Sequence, residues 1–352
     1  LQAAVINGMN ALLESACAQA GRPIEDVYLL AAAGNTCMHH LLLGLSPASL
    51  VTAPYNALLR HALRLEAGPL GLRANPRARL LMLPCIAGFV GADTVAGLAA
   101  TSLAESESLT LLIDIGTNGE LVLGDRRGRV ACSTAAGPAF EGAMIHCGMR
   151  GAEGAIDHAR LENGALSYSV IGGGAPRGIC GSGLVDIVAA LLDAGVIDES
   201  GRLCGAPGFE RAMTTCDGKA AFRIEGEILL TQRDIRELQL AKAAMAAGIR
   251  LLCAERGAAV EDIRRVLIAG AFGNYLNAVS ACRIGLLPRA LLDRVEGVGN
   301  AAGEGVKRAL RQPALWRTID ELAFHTQFLE LATRADFQDC FVDEMNFPEA
   351  DA

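Results

Sequence analysis

Apolar and polar positions alternate along this chain in short blocks whose period changes from helical to strand-like and back. Between residues 1 and 20 the positions Val5, Met9, Leu12, Leu13 and Ala16 recur at a helical spacing, and Gly21-Arg22-Pro23 stops the pattern. Val27 to Ala33 is a short apolar run that predicts a strand, and Gly34-Asn35-Thr36 then opens a helix through Leu43. Residues 46–78, with Pro47, Pro54, Pro69 and Pro76, read as loop. A strand at Leu80–Leu83 leads through Gly88-Phe89-Val90-Gly91-Ala92-Asp93 into a helix from Thr94 to Leu103.

From Leu109 the pattern becomes three strands in series, Leu109–Ile113, Leu121–Gly124 and Arg129–Thr134, separated only by turn residues. Shorter strand candidates lie near 154–158 and 165–171, and Leu184 to Leu192 forms an apolar helix. Thr231-Gln232-Arg233-Asp234 has the form of a capping box. Ile235, Leu238, Met245, Ile249 and Leu252 then mark the buried stripe of a long helix ending near Gly257. Val266–Ala269 is a further strand, followed by another helix. Strands in series, then helices alternating with strands, predict an α/β fold with a mixed sheet and helices on its faces. The polar stretch Glu105-Ser106-Glu107-Ser108 is the best domain joint, which divides the chain into residues 1–104 and 105–352.

The chemistry concentrates where the pattern breaks. Asp114-Ile115-Gly116-Thr117-Asn118-Gly119-Glu120 puts a carboxylate at the tip of a buried strand and follows it with a tight turn. Backbone N–H groups and a hydroxyl in such a turn suit phosphate, and Asp114 can hold Mg²⁺ or its bound water. The plain alternative is an ordinary hairpin. Gly270-Ala271-Phe272-Gly273 is a second anchor, because glycines at a strand's C-terminal end let a flat ring or a phosphate approach the backbone. A tight strand-to-helix connection explains the same glycines. The two anchors are expected on one sheet, facing one cleft. Gly181-Ser182-Gly183 opens a helix and suits either an anion or a simple cap. Gly34-Asn35-Thr36 is a weaker candidate of the same kind. Asp93 is either a helix cap or a functional carboxylate, and Glu141 is either a cleft carboxylate or a helix-start residue.

Composition narrows the class. The chain has 352 residues, enough for two domains, and 51% of them are hydrophobic with a mean hydropathy of +0.32. The nearest approach to a membrane span, Leu80 to Ala100, contains Pro84, several glycines and Asp93, which excludes it. A net charge of -8 argues against a general nucleic-acid binder. Eleven cysteines lack any C-x-x-C spacing, which reads as reduced cytoplasmic thiols. Cys37, His39 and His40 lie within four residues, but adjacent histidines point to different sides of a helix, so core and surface roles are expected.

Together with Gly88–Asp93, Ala136-Gly137-Pro138-Ala139-Phe140-Glu141-Gly142 and Gly178–Gly183, these motifs resemble the ATPase part of the reductive activators of corrinoid proteins. That family belongs with acetate and sugar kinases, heat-shock chaperones and actin. The resemblance implies two RNase-H-like subdomains closing on ATP and Mg²⁺. In its terms Asp114 and Glu141 are catalytic, with Asp114 and Asp93 toward the metal. Gly116 to Glu120, Gly181 to Gly183, Gly270 to Gly273 and Gly34 to Thr36 would contact the nucleotide. It also implies ATP-driven reduction of Co(II) corrinoid to Co(I) in a partner protein of a methyltransferase system. Members carry an N-terminal iron–sulfur domain and a first phosphate hairpin that are not seen here. Leu1 falls inside a helical pattern with no cap before it. The expectation is therefore a chain cut from something longer, its first subdomain (1–104) incomplete, with weak or absent ATP binding, no activity alone, and an open sheet edge that could pair with a second copy. A small-molecule kinase and a non-enzymatic corrinoid-protein scaffold are the alternatives.

Overall fold

The computed structural model describes residues 1–349 except Asn163, and for Ala271 the backbone alone. In chain order its elements are α1 (Gln2–Ala20), β1 (Leu29–Ala32), α2 (Thr36–Leu42), β2 (Leu63–Glu66), β3 (Arg79–Met82) and α3 (Ala92–Thr101). Then come β4 (Thr110–Ile115), β5 (Gly119–Asp125), β6 (Gly128–Thr134), β7 (Ala155–Glu162), β8 (Ala165–Val170), β9 (Gly178–Ile179) and α4 (Gly181–Asp193). The rest are β10 (Met213–Cys216), β11 (Lys219–Glu225), β12 (Ile228–Thr231), α5 (Gln232–Arg256), β13 (Arg265–Ala269), α6 (Gly270–Tyr275), α7 (Ala278–Arg283), β14 (Val295–Gly299), α8 (Ala301–Arg311), α9 (Pro313–Phe324), β15 (Thr326–Phe328) and α10 (Phe337–Asp343).

The chain divides into two compact units. The first comprises Leu1–Glu107, Gly124–Cys132 and Asn300–Leu329, whereas the sequence reading closes its first domain at residue 104. The segment Asn300–Leu329 joins because α8 packs across α3 and against β1. A Cβ at Gly305 of α8 would stand only 1.9 Å from the Ala96 carbonyl oxygen, so the two helices touch backbone to backbone. The sheet of this unit runs β1-β3-β2, with β1 parallel and β2 antiparallel to β3. Ile6, Leu42, Ala67, Leu72, Leu80 and Met82 form its core. Buried Asn10 of α1 ties down the loop at 71–73, donating to the Gly71 carbonyl at 2.9 Å and accepting from the Arg73 N–H at 2.8 Å. β15 runs parallel to Arg129–Ala131 of β6.

The second unit comprises Ser108–Leu123, Ser133–Gly299 and Glu330–Ala352. Within it the strand order is β14-β13-β4-β5, with β13 parallel to both β4 and β14. Strands β4, β5 and β13 are buried on both faces, as their apolar runs require. Two small sheets, β8-β7-β9 and β10-β11-β12, flank these strands. Helix α5 follows its sequence signals closely. Thr231 and Asp234 form the capping box, and Gly257 closes the helix at φ 60°. Among the described residues no helix is long and apolar enough to cross a membrane.

Candidate functional site

Parallel pairing of β4 with β13 brings the two anchors together. Asp114 is in register with Ala269, although the residues are far apart in sequence. The next residue, Gly270, has φ 85°, and a Cβ there would lie 3.2 Å from Asp114 Oδ1. A side chain at this position would therefore be strained and would crowd the carboxylate, so glycine leaves the space beside Asp114 open. Both strands end here, at the carboxyl edge of the sheet, where ligands of α/β proteins lie.

The turn after β4 is compact. The Gly116 N–H donates to the Asn118 carbonyl at 2.9 Å, and the side chains of Thr117 and Asn118 are exposed. Thr117 Oγ1 donates to Glu141 Oε2 at 2.7 Å, which links this turn to the segment Gly137–Gly142. One residue earlier, the Phe140 ring lies 5.1 Å from the ring of Phe272 in α6. Asp114, Thr117, Glu141, Gly270 and Phe272 thus converge, with Gly273 buried behind them and Ala271 placed by its backbone within α6. Two residues of the turn have structural partners. Glu120 accepts from Ser133 Oγ on the neighbouring strand at 3.1 Å. Gly119 lies beneath Met245 of α5, whose Sδ would be 2.0 Å from a Cβ.

Gly181, Ser182 and Gly183 are all buried. A Cβ at Gly181 would meet the Phe140 carbonyl oxygen at 2.1 Å, and one at Gly183 the Ile156 carbonyl oxygen at 2.2 Å. These glycines let α4 start against two backbone segments. Gly34, Asn35, Thr36 and Asp93 lie in the first unit and form a group of their own. Asn35 caps α2 by accepting from the Met38 N–H at 2.9 Å, and Thr36 Oγ1 donates to the Ala87 carbonyl at 2.7 Å. The Gly34 carbonyl accepts the Ala92 N–H at 2.9 Å, which seats the start of α3 on this turn. Asp93 Oδ1 accepts from the Thr94 N–H at 2.9 Å. Burial raises the Asp93 pKa above the usual carboxylate value, against the opposing effect of that hydrogen bond.

His39 and His40 are both buried. Burial, with His40 adding to it, lowers His39 to about 4, and its Nδ1 lies 3.6 Å from Cys85 Sγ. His40 Nδ1 contacts the Thr36 carbonyl at 2.8 Å, and its Nε2 accepts from the Leu58 N–H at 3.3 Å. All eleven cysteines are free, and among the described residues no group of three or more His, Cys, Asp or Glu could hold a metal ion. Sequence reasoning missed the end of β14. Gly297 and Gly299 pair with Ile268 and Ala269 and lie beside Asn274 of α6. The two glycines flanking Val298 were the available signal.

A family model described as the C-terminal domain of RACo, the ASKHA domain, matches residues 108–352. A second, described as the RACo middle region, matches residues 1–106. The chain belongs to the RACo family. Its fold is the actin-like ATPase fold of that family, with mixed α/β sheets. The solved structure of a reductive activator for corrinoid, iron-sulfur protein superimposes with a TM-score of 0.89 at 36% identity, covering 99% of this chain and 57% of the other. The corrinoid activation enzyme RamQ of Eubacterium limosum is 36% identical over 356 residues, covering 96% of this chain and 59% of RamQ. The [Co(II) methylated amine-specific corrinoid protein] reductase of Methanosarcina barkeri is 25% identical over 299 residues, covering 76% of this chain and 51% of that protein. The chain thus spans little more than half the length of these RACo relatives.

Proposed function

We propose that this chain is the ATP-binding and partner-docking portion of an iron–sulfur activator that reduces the Co(II) corrinoid of a methyltransferase-system protein to Co(I) in the cytoplasm. The observation that carries the reading is the register of Asp114 with Ala269, which sets a strand-end carboxylate beside the open space at Gly270. Residues 1–104 and 105–352 are, in this reading, parts of two RNase-H-like subdomains. The names of the relatives support the corrinoid partner.

The residues present fit a nucleotide. Gly270 leaves a cradle that a Cβ would fill, and the exposed Thr117 and Asn118 sit at a turn suited to phosphate. Asp114 would hold Mg²⁺, the turn from Gly116 to Gly119 would hold phosphate oxygens, and Gly270 to Gly273 would hold the nucleoside. Bound ATP supplies the binding free energy, and its hydrolysis resets the site. Glu141 holds the Thr117 hydroxyl and so fixes the shape of the turn. Nucleotide can favour one arrangement of the protein only as far as it binds that arrangement better. The test is ATP turnover by the full-length activator that this portion belongs to, with and without a corrinoid protein. Turnover raised by the partner is expected; no nucleotide binding and no turnover in either case would sink the proposal.

A further inference from the structure

We infer that Glu141 is a built-in competitor for the phosphate turn, so that nucleotide must take the Thr117 hydroxyl away from it in order to bind. The inference rests on the ATP reading above and adds a contact that opposes binding.

A hydroxyl has one proton and donates to one acceptor at a time. That of Thr117 donates to Glu141 Oε2 at 2.7 Å, and a carboxylate acceptor makes this the stronger kind of hydrogen bond. In the same turn the Gly116 N–H is already spent on the Asn118 carbonyl at 2.9 Å. The Thr117 hydroxyl is therefore a donor that a phosphate at this turn needs. Phosphate oxygens can only accept from it, as the carboxylate does, so phosphate and Glu141 cannot both hold it.

The backbone does not let Glu141 withdraw. On one side Phe140 is buried, with its ring 5.1 Å from that of Phe272. On the other side Gly142 has φ 78°, and a Cβ there would lie 2.5 Å from the Met149 carbonyl oxygen and 2.6 Å from the Met149 nitrogen. The N–H groups of Gly142 and Ala143 donate to the Ala139 and Pro138 carbonyls at 3.0 and 3.1 Å. Glu141, exposed between these anchors, yields only by rotating its side chain. Its carboxylate stays within reach of Thr117 and goes on competing. The opposition amounts to one exposed, charge-assisted hydrogen bond, which corresponds to about 3- to 10-fold in affinity.

The experiment is calorimetric titration of the full-length activator that this portion belongs to, with the non-hydrolysable analogue AMPPNP and with adenosine, each in the presence of Mg²⁺. Glu141→Ala should tighten AMPPNP by about 3- to 10-fold and leave adenosine, which has no phosphate, unchanged. Glu141→Gln, which keeps an acceptor without the charge, should tighten AMPPNP by less. Thr117→Val removes the contested hydroxyl, and in that background Glu141→Ala should lose its gain, because the two residues are coupled through one hydrogen bond. If Glu141→Ala weakens AMPPNP, or tightens it equally with and without the Thr117 hydroxyl, the competitor assignment is overturned while the ATP reading stands. If the wild type binds neither AMPPNP nor adenosine, both are overturned.

Discussion

Replacing Gly305 by alanine adds one methyl group where α8 crosses α3. The new carbon would lie 1.9, 2.5 and 2.8 Å from the O, C and Cα atoms of Ala96, all of them backbone. No side chain can rotate away, so the helices must separate. Moving from 1.9 Å to an ordinary contact of about 3.4 Å requires a shift of about 1.5 Å. Such a shift also strains the hydrogen bond from Arg308 Nη1 to the Ala99 carbonyl, 3.1 Å long. Overpacking of this kind costs about 1–3 kcal/mol, the weakened hydrogen bond adds about 1, and the helix-forming advantage of alanine returns about 1. The net expectation is a loss of about 1–3 kcal/mol. Gly8→Ala in α1 is the matched control, because a Cβ there meets nothing within 4 Å. It should stabilise by about 0.5–1 kcal/mol. Urea unfolding followed by circular dichroism measures both variants. If Gly305→Ala is as stable as Gly8→Ala, the backbone contact between α3 and α8 does not hold the first unit together.

In the full-length activator, Asp114→Asn should leave the fold intact and lower ATP turnover by about 10²-fold or more, the scale of losing a main electrostatic group; unchanged turnover would make the carboxylate structural. Thr231→Ala removes the hydroxyl that accepts the Asp234 N–H at 3.2 Å and should cost about 1 kcal/mol in urea unfolding. Lys242 is buried, its Nζ donating to the Asn346 carbonyl at 2.5 Å, and burial lowers its pKa from 10.5 to about 8. Below pH 8 both states are protonated and the folded chain bears the full desolvation cost, about 2.5 pKa units at about 1.4 kcal/mol each, or roughly 3 kcal/mol. Between pH 8 and 10.5 only the unfolded state keeps the proton, so this contribution to stability rises with pH. Cys85, Cys253 and Cys282, each raised to about 11 mainly by burial, act in the opposite direction, so Lys242→Met must be compared with the wild type at each pH. The advantage of the variant should shrink by roughly 3 kcal/mol from pH 7 to 10.5, and a constant difference would show that the lysine does not titrate in this way.

Short-range signals were legible in the sequence because their physics is local. The capping box at Thr231 and Asp234 spans one turn, and Gly257 ends α5 through its own backbone conformation. The turn between Asp114 and Gly119 was legible for the same reason, since apolar runs on both sides leave it no other place than a strand end. The strands β10, β11 and β12 were not, because Met213–Cys216 and Lys219–Glu225 are short and mixed in polarity, and they are held by pairing with one another. Glycines show the limit most clearly. A sequence records that a side chain is missing, but what would oppose that side chain belongs to another part of the chain. Gly183 faces the Ile156 carbonyl and serves packing, whereas Gly270 faces Asp114 and leaves a site open. The return of Asn300–Leu329 to the first unit and the register of Asp114 with Ala269 were likewise set by contacts between distant segments. Sequence alone determined which residues could do chemistry; tertiary pairing decided which of them meet, because only packing sets the distance between groups remote along the chain.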